Sequence, residues 1–307
     1  MIIQQISNSN PYTTNIGNCI KQLGQSINTL TDDKVNDICI CDYIGCTYKE
    51  QVFAYSGSDI WKNDKSDFLY RRLISSDTVS IYLQKDGIDL VELTDDSLGT
   101  LFDGFPNGNS EQQLYYGYLL DWKLVLAAHG VGNYNIRTEL SVLGSELEVY
   151  SRDFKLSIFS DLAADGTVKI DTVQNGNILG SEFDYTGIRW NSSIRISGRF
   201  GNPTPVYEED RYLDQTNTYQ QVKATMSREW FLNTGLLNSE VAQKLVYNKL
   251  LGNEIYITDY SIKAENIWRS IPVKLDEIAK PEIFNYPYKR YNIKFVDNKL
   301  IYQKRNY

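Results

Sequence analysis

The side chains best suited to chemistry are few in this 307-residue chain, and their spacing suits it poorly. One histidine, His129, ends the apolar run Leu126-Ala127-Ala128 and stands before Gly130. A single imidazole excludes multi-histidine metal sites and leaves a serine or cysteine nucleophile only one possible base. Nothing beside His129 marks a nucleophile, so it reads as a strand-end side chain satisfied locally. The cysteines are Cys19, Cys39, Cys41 and Cys46. The last three form C-x-C-x4-C, which lacks the paired C-x2-C spacing of common zinc sites. Cys39 and Cys41 share one face of a strand-like run and alternate with Ile38 and Ile40, the pattern of buried structural thiols. A metal site and a late disulfide are the alternatives. The carboxylate groups Asp95-Asp96 and Glu208-Glu209-Asp210 sit in polar, turn-like stretches and read as solvated loops rather than a glycosidase pair. Gly130-Val131-Gly132 joins two strand-like runs, the wrong context for a phosphate-cradling loop. These residues predict no catalysis, no cofactor and no metal.

The elements that would position any site are mostly strands. Val79, Ile81 and Leu83 alternate with Ser80, Tyr82 and Gln84, and Lys85-Asp86-Gly87 supplies a tight turn into 88–93. The longest run alternates Tyr116, Tyr118, Leu120, Trp122 and Leu124, and its partly apolar second face predicts a central strand. Further alternation follows at Tyr134, Ile136, Thr138 and Leu140. Val168, Ile170 and Thr172 lead to Asn175-Gly176, the dipeptide best suited to a type I′ hairpin, because both central residues need positive φ. Ile194 and Ile196 follow, then Ile255/Ile257, Val273/Leu275 and Ile293/Phe295. One helix is predicted over 239–251, with Asn238-Ser239-Glu240 at its start, Val241, Leu245 and Val246 on one face, and Gly252 as its stop. A weaker helical pattern spans Asn15 to Leu30.

Together these predict a mainly β fold, β-sandwich or barrel-like, with one or two short helices. The expected division is an N-terminal arm or small α/β segment over 1–74, a β-sandwich domain over 75–202, a linker over 203–218, and a C-terminal β domain over 219–307. The 42% hydrophobic and 23% charged residues belong to an ordinary globular chain. A formal net charge of −8, spread along the chain, argues against nucleic acid as the main partner. No apolar run approaches the ~20 residues of a membrane span. The start, Met-Ile-Ile-Gln-Gln-Ile-Ser-Asn, lacks the basic and apolar regions of a secretory signal, so synthesis in a cytosol is expected.

Four segments carry a family resemblance: Tyr116-Gly117-Tyr118 to Trp122; Gly130-Val131-Gly132-Asn133-Tyr134-Asn135-Ile136; Ile194-Arg195-Ile196-Ser197-Gly198-Arg199-Phe200-Gly201; and Ile257-Thr258-Asp259-Tyr260. In this β-rich style with Asn, Tyr and Ile bias, residues 75 to 300 resemble tail-tip, baseplate and fibre-attachment proteins of tailed bacteriophages infecting Bacteroidetes-type hosts. The resemblance implies a virion structural protein of the tail, made in the host cytoplasm. Its partners would be other virion proteins and copies of itself in a ring. No catalytic residue carries over. Trp61, Trp268 and Tyr307 are the candidate interface residues, since aromatic side chains make good anchors. The rival class is a carbohydrate-binding module or adhesin. Two coplanar tryptophans on the surface would favour sugar binding, and buried tryptophans would favour a scaffold.

Overall fold

Strand-forming side chains with period-two burial dominate the molecule, and their long-range pairing organises it. The computed structural model describes residues 19–22, 50–72, 78–94, 97–104, 114–142, 145–151, 153–176, 185, 187, 189–213, 215–237, 241–242, 245–246, 249–262, 268–284, 288–298 and 301–304. The fold is mainly β, with several sheets and short helices. No described helix is long and apolar enough to cross a membrane.

The first unit holds strands β1 (Cys19–Gln22), β2 (Glu50–Ala54), β3 (Lys65–Arg72), β4 (Thr78–Lys85), β5 (Ile88–Glu92), β6 (Gly99–Gly104), β7 (Leu114–Asp121), β8 (Gly132–Val142), β9 (Ser145–Tyr150) and β10 (Phe154–Ile158). One sheet runs β1-β9-β8-β10-β2, with β4 along β8 and β5 along β4; the other is β3-β7-β6. Among the described strands, only β10 and β2 pair in parallel. The two sheets and helix α1 (Trp122–His129) enclose one core, in which Ile81, Leu83, Tyr118, Trp122 and Phe154 are buried. Trp122 lies tilted against Phe154 at 5.1 Å and donates its indole N–H to Ser66 Oγ at 2.9 Å. The turn between β4 and β5 is the predicted tight one. Asp86 and Gly87 both have positive φ, 52° and 79°, as a type I′ turn demands.

The strand predicted through Leu124 stops at Asp121. There Asp121 Oδ1 accepts from Lys123 N at 2.9 Å, an N-cap that starts α1, and Gly130 at φ 74° ends it. His129 therefore sits in a helix's last turn rather than at a strand end, and its carbonyl accepts from Lys85 Nζ at 2.8 Å. The weak helical pattern at 15–30 also fails where it is described: Cys19–Gln22 is β1, antiparallel to β9.

After a one-turn helix, α2 (Asp161–Ala164), the second unit begins. It contains β11 (Thr167–Gln174), β12 (Trp190–Phe200), β13 (Thr204–Leu213), β14 (Tyr219–Thr234), β15 (Glu254–Asp259), β16 (Ile271–Ile278), β17 (Glu282–Phe284), β18 (Tyr288–Arg290), β19 (Asn292–Asp297) and β20 (Ile301–Lys304). The order β12-β11-β15-β16-β19-β14 returns on itself, because β14 pairs back with β12 through Gly198↔Thr234 to Phe200↔Leu232. Six antiparallel strands thus close a barrel, which removes its sheet edges. Phe200 stacks on Trp230 inside it, ring centroids 4.9 Å apart and planes 4° from parallel. Val241, Ala242 and Leu245, from the stretch predicted to be helical, are buried in the same core, followed by a 3-10 turn at Lys249–Leu251.

Two features depart from the sequence reading. β11 and β12 do not meet at Asn175-Gly176; their register, Gln174↔Trp190, leaves a long connection, and Asn175 N donates instead to Asn253 Oδ1 at 2.9 Å. The stretch 203–218, predicted as a linker, carries β13, which pairs along β14 from Thr204↔Glu229 to Leu213↔Tyr219. The boundary expected at 202 also shifts: β2 and β3 belong to the sandwich, whereas β11 and β12 build the barrel. These memberships depend on long-range pairings, such as Phe154↔Glu50 and Val168↔Asp259, which alternation along one strand does not encode.

Candidate functional site

Two places concentrate unusual side chains: the seam between sandwich and barrel, and an arm that leaves the barrel. The seam starts from the polar segment between β2 and β3. Asp64 is turned inward, where its Oδ2 accepts from Phe53 N at 2.8 Å. Arg195 of β12 meets it as a two-pronged fork, with Nη2 to Oδ1 at 2.7 Å and Nε to Oδ2 at 2.9 Å. Both side chains are about 96% buried, being 4% exposed. The guanidinium also donates to Thr167 Oγ1 at 2.9 Å and lies over the rings of Tyr260, at 4.2 Å, and Phe53, at 4.9 Å. Burial alone lowers the basicity of Arg195, but the Asp64 carboxylate more than offsets it and raises its pKa further.

Beside this pair, Lys169 Nζ donates to Asn63 O at 3.1 Å. Burial disfavours its charge, and the nearby Asp171 and Asp64 carboxylates outweigh that, so the ammonium is held more firmly than usual. Deeper in, Asp67 Oδ1 lies 3.4 Å from Lys249 Nζ while Oδ2 accepts from Trp190 Nε1 at 3.0 Å. The Asp67 and Lys249 side chains are wholly buried. The rim is aromatic: Trp61 meets Phe159 edge-on at 5.6 Å and Tyr260 at 6.0 Å, and Arg269 covers Trp61 at 4.4 Å. Lys62 Nζ stands over Tyr55 at 4.3 Å. Asp64 and Asp67 are each matched by a cation and a further donor. Such an arrangement holds two units in a defined relation.

The arm is built by length. β14 has 16 residues, of which 229–233 pair with β19 in the barrel, while the stretch before them runs on between β13 and β20. Asp297 fixes the departure point: its Oδ2 accepts from Arg228 Nε at 2.9 Å and its Oδ1 from Trp230 Nε1 at 3.0 Å. Tyr207 and Met226 are cross-strand partners and both exposed, as are Tyr212, Leu213 and Tyr219 towards the tip. The outer edge of β13 pairs with no described strand. Pro205, a register shift at Asp210/Arg211, and the charges Glu208, Glu209 and Asp210 lie along it, the devices that keep an open edge from indiscriminate pairing.

The residues singled out from sequence fall as follows. Trp61 lies in the seam, half-buried. Trp268 packs edge-on against Trp230 at 4.8 Å, its Nε1 donating to Asn202 Oδ1 at 3.3 Å. Tyr307, Cys39, Cys41, Cys46 and Asp95-Asp96 lie outside the described residues. Trp122, Trp190 and Trp230 are buried, and the half-buried Trp61 and Trp268 pack against separate clusters, Trp61 on Phe159 and Tyr260 and Trp268 on Trp230. Glu208-Glu209-Asp210 are not a loop but part of β13. Sequence reasoning missed Asp64, Asp67, Arg195 and Lys249. Among the described residues, no three His, Cys, Asp or Glu side chains cluster as metal ligands.

Fold and surface together define a class: a two-unit β protein, sandwich joined to barrel through paired charges, that presents a β-arm to its surroundings. Comparison of the chain with protein-family models, curated proteins and solved structures finds no match.

Proposed function

We propose that this protein is a virion structural component of a phage tail or baseplate, which works by protein–protein contact with copies of itself and with other tail proteins. The observation that supports this reading best is the arm. A long β-ribbon with exposed Tyr207, Tyr212, Leu213, Tyr219 and Met226 is a poor investment for an isolated globule, because aromatic and Met side chains are the ones enriched where proteins meet. Its anchoring at Asp297 gives it a defined direction rather than a tether's freedom. The packing of all five tryptophans into cores or the seam supports a scaffold over a tryptophan-lined sugar platform.

The test is native mass by light scattering after gel filtration, followed by negative-stain imaging, on the wild type and on Tyr207→Ser/Met226→Ser. A ring of defined copy number in the wild type, lost or weakened in the double variant at unchanged unfolding midpoint, is expected. A wild type that stays monomeric at all concentrations and is missing from purified tails would overturn the proposal.

A further inference from the structure

The barrel's outer face carries a pocket that the scaffold reading does not use. Register places six side chains in a grid across β14, β19 and β16. Phe231↔Lys294 and Lys294↔Glu277 form one row. Asn233↔Asn292 form the next, and Ala279 extends it by donating its N–H to Asn292 O at 3.0 Å. The alternate positions, Leu232 and Ile293, point into the barrel core and are buried, so the grid must face outward. Short Asn and Ala side chains beside longer Phe, Lys and Glu leave a hollow of about 360 Å³ on a surface that would otherwise bulge. That is the low end of the ~300–1,000 Å³ typical of small-molecule sites.

The lining selects a ligand class. Phe231 is 39% exposed, an apolar ring offered on an otherwise polar face. Asn233 and Asn292 each bring a carbonyl acceptor and an amide donor, and Glu277 adds two acceptor oxygens. No hydrogen bond or ion pair ties these three side chains to another described residue, so their capacity is free for a ligand. Lys294 is different: Glu229 holds its Nζ at 2.7 Å and Asp276 at 3.0 Å. Its charge is therefore spent, and this face carries Glu229, Asp276 and Glu277 against Lys294 and Lys274, still a negative balance. A phosphate, uronate or sialate would meet a net negative field. A ligand with many hydroxyls, each both donor and acceptor, and one C–H face to lie on a ring meets every feature present. We propose that this pocket binds one or two rings of a neutral or amino-bearing saccharide, with Phe231 as stacking platform and Asn233, Asn292 and Glu277 as hydroxyl partners.

This inference stands independently of the tail assignment. It is tested by saturation-transfer NMR on the full chain, using methyl glycosides of glucose, galactose and mannose together with N-acetylglucosamine, glucosamine and glucuronate at millimolar concentration. Transfer to the ring C–H protons of at least one neutral or amino sugar is expected. Competition titration should show that sugar binding about tenfold or more weakly to Phe231→Ala and to Asn233→Ala/Asn292→Ala. Both variants replace exposed outer-face side chains, and their unfolding midpoints serve as the check that the barrel persists. Tyr207→Ser, on the arm and outside the pocket lining, should retain binding. Failure of every neutral and amino sugar to receive transfer, equal binding by the pocket variants, or preference for glucuronate would each overturn the assignment.

Discussion

Arg195→Met is the perturbation that interrogates the seam most directly. It deletes the fork onto Asp64 while keeping an apolar stem between Tyr260 and Phe53. What remains is a carboxylate 4% exposed with one backbone donor, Phe53 N at 2.8 Å, and the more distant Lys169 ammonium, where it previously had three hydrogen bonds and a paired guanidinium. Leaving one member of a buried pair unmatched costs about 3–5 kcal/mol. Asp64→Asn leaves the converse problem, a buried guanidinium without its counter-charge, whose remaining partners are the amide oxygen, Thr167 Oγ1 and two aromatic faces. Those faces are worth up to ~2 kcal/mol when desolvated, so a cost nearer ~3 kcal/mol is expected. In the double variant neither charge is present, and its cost should approach that of one single change rather than their sum. The coupling should then exceed ~1.5 kcal/mol, within the range for residues in direct contact. The assay is denaturant unfolding of all four proteins, followed by tryptophan fluorescence, because Trp61 rims the seam and Trp190 lies behind it. Single-variant costs below ~1 kcal/mol, or additive costs, would refute the claim that these charges hold sandwich and barrel together.

Two further outcomes follow from geometry. A Cβ at Gly198, where β12 closes the barrel onto β14, would stand 2.8 Å from Asn233 O, so Gly198→Val should cost at least the ~1–3 kcal/mol of an overpacked site and speed exchange of amides in β12 and β14. On the sandwich, Arg137 holds the Asp89 carboxyl below its usual pKa, with a further hydrogen bond from Gln84. A carboxyl whose folded pKa is depressed contributes stability that is present above its unfolded pKa and is lost as pH falls through the folded one. Wild-type stability should therefore decline on acidification below the ordinary aspartate range, and Arg137→Ala should flatten that decline; an unchanged slope in the variant would remove Asp89 as its source.

Strand faces were legible because alternation reports directly on burial: Val79, Ile81 and Leu83 are buried along β4 as their spacing requires. Helix α1 escaped notice because Trp122 continues the alternation of Tyr116, Tyr118 and Leu120 and also begins the helical spacing Trp122, Val125. The deciding signal was the N-cap at Asp121, a single residue inside an apolar run. The Asn175-Gly176 turn failed for a related reason: the dipeptide permits a tight hairpin, but it does not require one, and here β12 rejoins β11 only at Trp190 while Asn175 N donates to Asn253 Oδ1. The arm was misread because Pro205 and the acidic run at 208–210 look like a linker, although the same residues also suit an exposed edge strand.

The seam shows where such reading reaches its limit. Val168 and Ile170 on β11 and Ile194 and Ile196 on β12 mark the barrel interior, so alternation assigns Lys169 and Arg195 to the outside, and the register sets them side by side. They do lie on the barrel's outer face. What no local pattern states is that the sandwich covers that face and brings Asp64 to meet it from 131 residues away. An apolar patch could have joined the units with comparable stability, since ion pairs repay their desolvation only when geometry is good. It would not have specified their relative placement so closely, because apolar contacts are non-directional whereas a fork onto a carboxylate tolerates little rotation. The arm departs from β14, which closes the barrel on β12, the strand that carries Arg195. Seam and arm are thus joined through two paired strands, and the charges that orient the sandwich also set the direction in which the arm leaves it. On the proposed assembly through that arm, this would be a physical reason to retain buried charge where hydrophobic packing would suffice for folding.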